Sequence, residues 1–484
     1  MPGTTTEIIR EKLEPSSGDI QYSHPLEKKK LLVILFILLV AFNLRLKGIY
    51  FGLPYMLNPD EAGSVLLFLS GGFLDLNAIT SILEINPASI YIPLRVISVL
   101  FGVGTVLLVY LIGVYFSRLA GILASSFLAV SFLHVKFSQV LLSQSIVVFI
   151  TMLSLFFVFK YMTSENKEFH NYKKLIITFF VLLFLSNIDL FSIFKSYVEG
   201  YYYYPYSSYL LYLFNFLLVS VGPFIWLGAM GLFFYKKEYS ETLLKSLFSV
   251  PLFYLGLIGL FHLTKIGYAV LLSPFVCLAS ALTFTSMYKS AFQSSENSPQ
   301  RFFYIVLVLV TVWLPLKTTL KYNKMASLSD TRVLATEWVK ENASGDIKIA
   351  RDINSLQTSW TDAYDKKRLK SLRIDQDVIS DKQEFLITEK FLKQKNWFRG
   401  LRKKVDYVVI NSYDSEMVLR KPGHSLLKKY YSKIQKLKPE IVFNPYLLEK
   451  ENKIRSSLTE ELLFPFESLW YRERLGPLIS VYKL

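Results

Sequence analysis

The sequence contains little cysteine and little histidine, which limits the metal and redox chemistry it can carry. Cys277 is the one cysteine in 484 residues, so neither an internal disulfide nor a cysteine-based metal site is possible. The five histidines show no pairing at metal-ligand spacing. Carboxylates predicted to lie outside the membrane are few and form no evident cation cage. We therefore predict no metal site and assign no cofactor, and we leave divalent-metal dependence open.

The sequence also lacks an internal repeat and a nucleic-acid-binding motif. The missing repeat argues against transporters built from inverted repeats. The formal net charge is +16, and residues 321–484 hold 32 Lys and Arg against 22 Asp and Glu. These basic residues are scattered, and a basic domain beside a membrane is more consistent with anionic lipid headgroups. We expect membrane lipids as partners and no nucleic acid.

Apolar residues dominate the first two-thirds of the chain. Hydrophobic residues make up 52% of the sequence, with apolar runs recurring from Leu31 to Leu316. The composition after that point is typical of a soluble domain. We predict a polytopic α-helical membrane protein with three parts. These are a disordered cytoplasmic tail (1–27), a transmembrane domain (28–320) and a soluble extracytoplasmic α/β domain (321–484).

The apolar runs predict about nine membrane-spanning helices. Several are shorter than the ~20 residues needed to cross ~30 Å of hydrocarbon. Basic residues at their ends, such as Lys30 and Arg45, can snorkel and extend the effective length. The short third run could instead be a re-entrant or interfacial helix. The predicted spans are Leu31–Leu44, Ile92–Phe116, Leu119–Leu133, Val140–Tyr161, Leu175–Phe194, Tyr209–Tyr235, Leu247–Leu263, Tyr268–Met287 and Phe302–Leu316.

The loop charges predict the orientation of the chain. Lys28, Lys29 and Lys30 precede the first span, which places the N-terminus in the cytoplasm under the positive-inside rule. Alternation then makes the basic loops cytoplasmic, and the opposite loops carry carboxylates such as Asp60 and Glu61. An odd number of spans leaves the C-terminal domain on the extracytoplasmic side.

Helix and strand patterns alternate in this C-terminal part. Ser329-Asp330 can cap a helix that runs to about Glu341, and a second helix is predicted over Ser425–Leu437. Such an alternation predicts a small α/β domain. The predicted strands are Ile347–Ala350, Val405–Ile410, Pro439–Phe443 and Leu478–Tyr482.

The sequence Asn58-Pro-Asp-Glu61 follows the first span and permits two interpretations. Asn58 fits a helix N-cap, Pro59 fits the first helical position, and the two acids complement the helix dipole. Spacing alone favours this capping role. A carboxylate beside a low-dielectric wall also suits a general base that takes a proton from an acceptor hydroxyl. The two roles are compatible, because a cap can also present a side chain.

Two polar features of the predicted fifth span and the loop after it are further candidates. Asp189 lies within that span, where an acidic residue is costly unless it has a partner. Tyr204 belongs to the tyrosine cluster of 199–206. An aromatic belt at the membrane interface is the favoured interpretation of these tyrosines. The alternative is a wall for a sugar or a lipid phosphate.

Several stretches, taken in order, resemble a known family. Their order and spacing are similar to those of GT-C glycosyltransferases, and more closely to the group of dolichyl-phosphate-mannose protein mannosyltransferases and aminoarabinose transferases. The stretches are Phe51-Gly-Leu-Pro-Tyr-Met-Leu-Asn-Pro-Asp-Glu61, Arg95–Gly113, Leu133-His-Val-Lys-Phe-Ser138, Gly267-Tyr-Ala-Val-Leu-Leu-Ser-Pro274 and Gly476-Pro-Leu-Ile-Ser-Val-Tyr482.

The resemblance implies a transferase that takes a sugar from a polyprenyl-phosphate donor outside the membrane. The acceptor would be a protein, a glycolipid or a polymer. Asp60 would match the catalytic base, with Glu61 beside it. The leaving phosphate carries charge that must be stabilised in a partly dry site. The candidates to bind it are Arg95, Lys136, Lys265 and Tyr268, with His134 as a further site candidate and headgroup snorkelling as the alternative for each basic residue.

The sequence departs from the family pattern at several points: the first loop looks short, and Asn58 stands where many bacterial relatives have histidine. Where the family usually has an arginine and, five positions on, an acidic residue, this chain has Gln139 and Gln144. Two alternatives therefore stay open beside the transferase. One is a GT-C-like protein that has lost catalysis and acts in binding or assembly. The other is a glycolipid transporter.

Overall fold

The structure is a computed structural model. It describes residues 24–53, 61, 91–140, 143–163, 217–218, 220–235, 238–260, 267–293, 299–342, 347–352, 385, 387, 389–420, 425–447 and 469–484. Within these ranges the chain forms a helical bundle followed by a small sheet with its own helices. The predicted tail 1–27 and the predicted span Leu175–Phe194 lie wholly or almost wholly outside the described residues.

Within the described residues, nine helices form the bundle. Three of them, Tyr91–Val114, Arg118–Val130 and Ser143–Thr163, begin and end within three residues of a predicted span, and the others differ from the predicted bounds by more at one end or both. By length and composition, Tyr91–Val114, Ser143–Thr163, Gly267–Gln293 and Pro299–Ala326 can cross a membrane, and Arg118–Val130 with Phe132–Ser138 makes a fifth if the bent pair is one span. The total of nine spans stays a prediction. The helices are α1 (His24–Leu46), α2 (Tyr91–Val114), α3 (Arg118–Val130), α4 (Phe132–Ser138), α5 (Ser143–Thr163), α6 (Pro223–Tyr235), α7 (Glu241–Leu260), α8 (Gly267–Gln293) and α9 (Pro299–Ala326).

The third predicted span is broken. The chain bends by 62° between α3 and α4. Ser131, at the break, has φ −59° and ψ 118°, which is not a helical conformation. Its Oγ donates to the carbonyl oxygen of Ser220 at 2.7 Å, and Thr319 Oγ1 donates to the carbonyl oxygen of Val130 at 2.9 Å. Neighbouring segments thus hold the bend, as buried irregular backbone in a membrane requires.

Close helix contact in the bundle depends on small residues. Helix α8 is central, because 94% of its most apolar 18-residue stretch is buried. It packs against α3 and α6. Helices α2 and α3 meet at Gly113 and Gly121, where a Cβ on Gly113 would lie 2.6 Å from the Cα of Gly121. Association of helices in lipid depends on such close packing rather than on a hydrophobic driving force.

The C-terminal region forms a four-stranded mixed sheet in the order β1-β2-β4-β3. Strands β1 and β2 are parallel, and β4 is antiparallel to both of its neighbours. Helix α10 packs on one face and the remaining helices on the other. Each predicted strand has a counterpart within about two residues. The elements are α10 (Thr331–Asn342), β1 (Ile349–Arg351), α11 (Glu389–Leu392), α12 (Trp397–Arg402), β2 (Tyr407–Asn411), α13 (Ser412–Arg420), α14 (Ser425–Ile434), β3 (Ile441–Phe443) and β4 (Ile479–Lys483).

One end of this sheet is attached to the bundle. Thr331, which starts α10 shortly after α9 ends, donates through N to the carbonyl oxygen of Leu475 at 3.1 Å and through Oγ1 to that of Pro477 at 2.7 Å. Lys321 of α9 donates to the carbonyl oxygen of Arg472 at 2.9 Å. Residues 475–478 lead into β4, whose first residue pairs with Asn411, the last of β2. The carboxyl ends of β1 and β2 therefore face the bundle, and we call this the near end of the sheet.

A buried acid lies at the near end. Asp352, directly after β1, accepts hydrogen bonds from the backbone N–H of Asn411 and the hydroxyl of Tyr431, both at 2.9 Å. Burial, and then the nearby charge of Asp414, raise the pKa of Asp352 to about 8. In the unfolded chain this carboxyl has an ordinary aspartate pKa of about 4. Over most of the range from about pH 4 to pH 8, the folded protein therefore holds a proton that the unfolded chain has released.

This difference predicts a pH-dependent stability for the sheet. Between about pH 4 and pH 8 the folded state binds the extra proton, so stability is highest at the acid side and falls by about 1 kcal/mol per pH unit as pH rises, with no further loss above pH 8. Asp352→Asn mimics the neutral acid and is expected to flatten that slope. Hydrogen exchange of β1 and β2 amides between pH 5 and pH 8, corrected for intrinsic rates, measures it. Equal slopes in both proteins would contradict the assignment.

Candidate active site

Polar side chains converge at one end of the helical bundle. There α1 and α4 end, α2 begins, and α9 runs out towards the sheet. We call this end the Arg95 end. Of the predicted site residues, Glu61, Arg95, His134 and Lys136 lie here. The near end of the sheet is attached on the same side, through the residues after α9.

Arg95, in the second turn of α2, is buried and holds Glu61 through two parallel hydrogen bonds. Its Nε donates to Oε1 and its Nη2 to Oε2, both at 2.7 Å. Nη1 donates to the backbone carbonyl oxygens of Ile49 at 2.6 Å and Phe51 at 2.9 Å. The two charged side chains are only 2% and 0% exposed. Because bidentate arginine–carboxylate pairs fix geometry as well as charge, Arg95 ties Glu61 to the turn after α1.

Arg45, at the end of α1, is the second buried arginine of this end. The prediction that it snorkels is wrong, because the side chain is fully buried within the protein. It donates to the carbonyl oxygens of Ala41 at 2.8 Å and Ala129 at 3.3 Å. The second of these belongs to the last turn of α3, whose free carbonyls attract a cation. Arg45 thus stabilises the broken end of α3.

His134 of α4 lies against Arg45. The Nη2 of Arg45 is 2.7 Å from His134 Nδ1. A guanidinium group only donates, so Nδ1 accepts this hydrogen bond and the ring proton is on Nε2. His134 is 2% exposed. The structure therefore gives this histidine a fixed orientation beside a cation, and its proposed part in the site stays a prediction.

Gln139 and Asn323 form an amide network that sequence reasoning missed. Gln139 Nε2 donates to Asn323 Oδ1 at 2.6 Å and to the carbonyl oxygen of Leu44 at 3.0 Å. Asn323 Nδ2 donates to the same carbonyl at 2.6 Å. Both amides are buried. The network joins the ends of α1, α4 and α9. The one signal in the sequence was an asparagine at the polar end of the last apolar run, which on its own indicates nothing.

This network predicts a measurable stability effect. Asn323→Leu keeps the branched shape of the side chain but removes two interhelical hydrogen bonds, and we expect a loss of about 1–2 kcal/mol. Thermal unfolding of the detergent-solubilised protein measures the change. Asn43→Leu is the matched control, because Asn43 is exposed and, among the described residues, its side chain bonds to the carbonyl oxygen of Leu39 in its own helix. Equal melting temperatures for the Asn323 variant and the wild type would contradict the network.

Lys136 presents a cation that is only partly buried. Its Nζ lies 5.7 Å from the centre of the Tyr322 ring, a distance at which an ammonium is attracted to an aromatic face. Among the described residues no carboxylate forms an ion pair with it. Lys136 therefore remains available to an anion at the Arg95 end.

The other predicted site residues cannot be placed. Asp60, Lys265, Asp189 and Tyr204 lie outside the described residues, as does the side chain of Tyr268. In the part of the chain that the structure describes, no group of three His, Cys, Asp or Glu side chains could hold a metal ion.

Comparison with known proteins gives one family match in sequence. The family model described as dolichyl-phosphate-mannose-protein mannosyltransferase matches residues 55–186. This segment contains Asp60, Glu61, Arg95, His134 and Lys136. Comparison with curated proteins gives no match in sequence.

Comparison with solved structures extends the likeness to most of the chain. The apo oligosaccharyltransferase of Archaeoglobus fulgidus matches with a TM-score of 0.50 and 10% identity, over 83% of this chain and 72% of that one. A second structure, the oligosaccharyltransferase AglB of the same organism with an inhibitory peptide and a dolichol-phosphate, matches with a TM-score of 0.42 and 11% identity, over 84% and 72%. At such low identity the first match shows a shared fold. The predicted resemblance to the GT-C glycosyltransferases is thus confirmed, by sequence over residues 55–186 and by fold over most of the chain.

Proposed function

We propose that this protein is a membrane glycosyltransferase that moves a sugar from a polyprenyl-phosphate donor to an acceptor at the Arg95 end of the bundle. One observation carries the proposal: Arg95 holds Glu61, the neighbour of Asp60, in a buried bidentate pair, inside the segment that matches the mannosyltransferase family. A pair of this kind fixes the position of the acidic motif. Fixed position is what a general base requires.

The proposed reaction is an inverting displacement at the anomeric carbon of the donor sugar. The acceptor oxygen forms a bond to C1 while the bond from C1 to the phosphate oxygen breaks. The proton of the acceptor group passes to the Asp60 carboxylate. The electrons of the broken bond stay on the lipid phosphate, whose charge needs cationic or hydroxyl partners. Lys136, Lys265 and Tyr268 are the proposed partners.

Arg95 has a different proposed part. Four of its N–H contacts go to Glu61, Ile49 and Phe51, and a guanidinium has five donors in all. We assign it as a positioning residue for the acidic motif. These four contacts leave one N–H group for direct contact with the donor phosphate, which is the role that the sequence resemblance implies. That role stays a prediction.

The donor and acceptor classes rest on the family description. The matching family is described as acting with dolichyl-phosphate-mannose on protein, so a lipid-phosphate sugar and a protein acceptor come first, with glycolipid and polymer acceptors next. The Arg95 end would face the extracytoplasmic side, with the N-terminus in the cytoplasm and residues 321–484 outside. The positive-inside pattern of the loops supports this orientation.

A second candidate function has a specific observation in its favour. Gln139 stands where the family usually has arginine. Its amide group donates hydrogen bonds to the carbonyl oxygen of Leu44 and to Asn323 Oδ1. A neutral amide committed to a structural network stabilises a phosphate less than a guanidinium would. A GT-C-like protein that has lost catalysis and serves in binding or assembly is therefore the alternative.

A transfer assay separates the two functions. Purified protein in nanodiscs of neutral lipid is mixed with radiolabelled polyprenyl-phosphate sugars and with peptide or glycolipid acceptors. Mass spectrometry then detects the glycosidic product. A comparison of the surface glycans of cells with and without the gene shows which sugar and which acceptor to test first. A new glycosidic bond supports the transferase. Donor binding without product, across sugars that match the surface glycans, supports the degenerate protein.

A further inference from the structure

A cluster of basic side chains lies at the end of the sheet that points away from the bundle. Three of them, Arg402, Lys403 and Lys404, lie at the end of α12 and in the turn before β2. Three more belong to α14 and the turn before β3. We call these six residues the distal rim: Arg402, Lys403, Lys404, Lys433, Lys436 and Lys438.

The register of the strands fixes the place of the rim. Tyr407, the first residue of β2, pairs with Lys483, the last residue of β4, and Glu440 N donates to the carbonyl oxygen of Val481. Both turns therefore lie at the end of the sheet opposite the near end. A five-residue strand is about 15 Å long, which is more than the ~8 Å Debye length at physiological salt. The rim thus lies away from the bundle and from the membrane that the bundle is predicted to span. Composition alone suggested instead that the basic residues of 321–484 face lipid headgroups.

The rim charges are not neutralised within the described residues. All six side chains are exposed, and no ion pair among the described residues involves them. Asp406 and Glu440 are the described carboxylates next to these two turns in sequence, and Glu341 at the end of α10 lies at the same end of the sheet. Asp406 Oδ2 already accepts the N–H of Lys348 at 2.8 Å. The six exposed cations outnumber these carboxylates and produce a positive potential directed outwards.

Aromatic packing holds part of the rim in place. Phe398 meets two of the cations, the Nζ of Lys433 at 4.7 Å and the guanidinium carbon of Arg402 at 5.0 Å from its ring centre. Lys404 lies 5.7 Å from the Phe385 ring and 5.8 Å from the Phe391 ring. Because these ring faces already meet lysine and arginine, they offer no free platform for stacking a base. The surface suits repeated anionic groups rather than nucleobases.

We propose that the distal rim is a binding surface for a linear polyanion outside the membrane, a polymer that carries phosphodiester or carboxylate groups along its length. Several separate cations on two turns fit such a chain better than one compact anion, since each contact displaces a counterion. The proposal concerns binding alone and does not depend on the transferase activity.

A charge-removal experiment tests this proposal on the full-length protein in nanodiscs of neutral lipid. Lys403→Gln/Lys436→Gln/Lys438→Gln removes three exposed charges that make no ring contact or ion pair with any residue the structure describes. Lys160→Gln/Lys245→Gln/Lys289→Gln is the control, with three exposed lysines at the other end of the bundle. Long-chain inorganic polyphosphate and polyglutamate are the probes, and fluorescence anisotropy measures the dissociation constant at several salt concentrations.

We expect the rim variant to bind both probes at least tenfold more weakly, with the slope of log K against log salt reduced by about two. The control should match the wild type. Equal loss in both variants, or none in the rim variant, overturns the proposal. So does rim-dependent capture of anionic-lipid vesicles that is stronger than polymer binding, which would make a second membrane the partner. Tighter binding of a single-stranded oligonucleotide than of polyphosphate at equal charge would identify nucleic acid instead.

Discussion

Asp60→Asn is expected to lower kcat for sugar transfer by about 10²–10⁴-fold, the range that a positioned general base contributes. The amide keeps the shape of the side chain but cannot take the acceptor proton. Donor binding should change little, because the lipid phosphate is held by other groups in the proposed mechanism. Measuring kcat by product formation and donor affinity by direct binding to the same preparation separates the two effects.

The control for Asp60→Asn is a second acid of the same predicted loop. Asp75→Asn makes the same change of charge but lies outside the acidic motif, and its kcat should equal that of the wild type. Comparable losses in the two variants would point to loop electrostatics rather than to a base. Undiminished transfer by Asp60→Asn would remove Asp60 from the mechanism while leaving the transferase itself intact.

Local sequence signals predicted most of the elements of this fold. Apolar runs located the helices of the bundle, and β-branched runs located the four strands. The cap at Asp330 was also predictable, because the residue before a helix provides its own hydrogen-bond acceptor: Oδ1 accepts the backbone N–H of Arg332 at 2.9 Å. Such features depend on neighbours close in sequence, which is the information that pattern and propensity contain.

The break between α3 and α4 marks the limit of those signals. An apolar run predicts burial but contains no information on direction, so Leu119–Leu133 was equally compatible with a span and with a re-entrant helix. The bend at Ser131 depends on a partner 89 residues away, the carbonyl group of Ser220. Tertiary contacts of this kind decide the path of a short helix in a membrane.

The site was only partly predictable for the same reason. Its residue types and the acidic motif were evident, and the structure brings Glu61, Arg95, His134 and Lys136 to one end of the bundle. The partner of Arg95 was not evident, because the pairing joins the start of α2 to Glu61 across 34 positions. Asn323 is a stronger example, since it meets a carbonyl group 279 residues away. Only the packing of the helices brings such pairs together.

Arg95→Met is expected to destabilise the protein by about 3–5 kcal/mol, because it leaves the Glu61 carboxylate buried without its main cation. Glu61→Gln should cost a similar amount by leaving the guanidinium in the same position. The double variant Arg95→Met/Glu61→Gln should be more stable than the sum of the two single losses predicts, since it leaves neither charge behind. Denaturant or thermal unfolding of all four proteins in one detergent completes the double-mutant cycle.

Measuring kcat for the same four proteins distinguishes a positioning role of Arg95 from a purely structural one. If Arg95 positions the acidic motif, the double variant regains stability but not kcat, because the side chain at position 61 is no longer held beside the turn at Ile49 and Phe51. Arg95→Lys keeps the charge and loses the bidentate geometry, so it should fold better than Arg95→Met while its kcat stays well below that of the wild type. If kcat recovers in proportion to stability across the series, the positioning role is contradicted. The Arg95–Glu61 pair would then have a structural role alone.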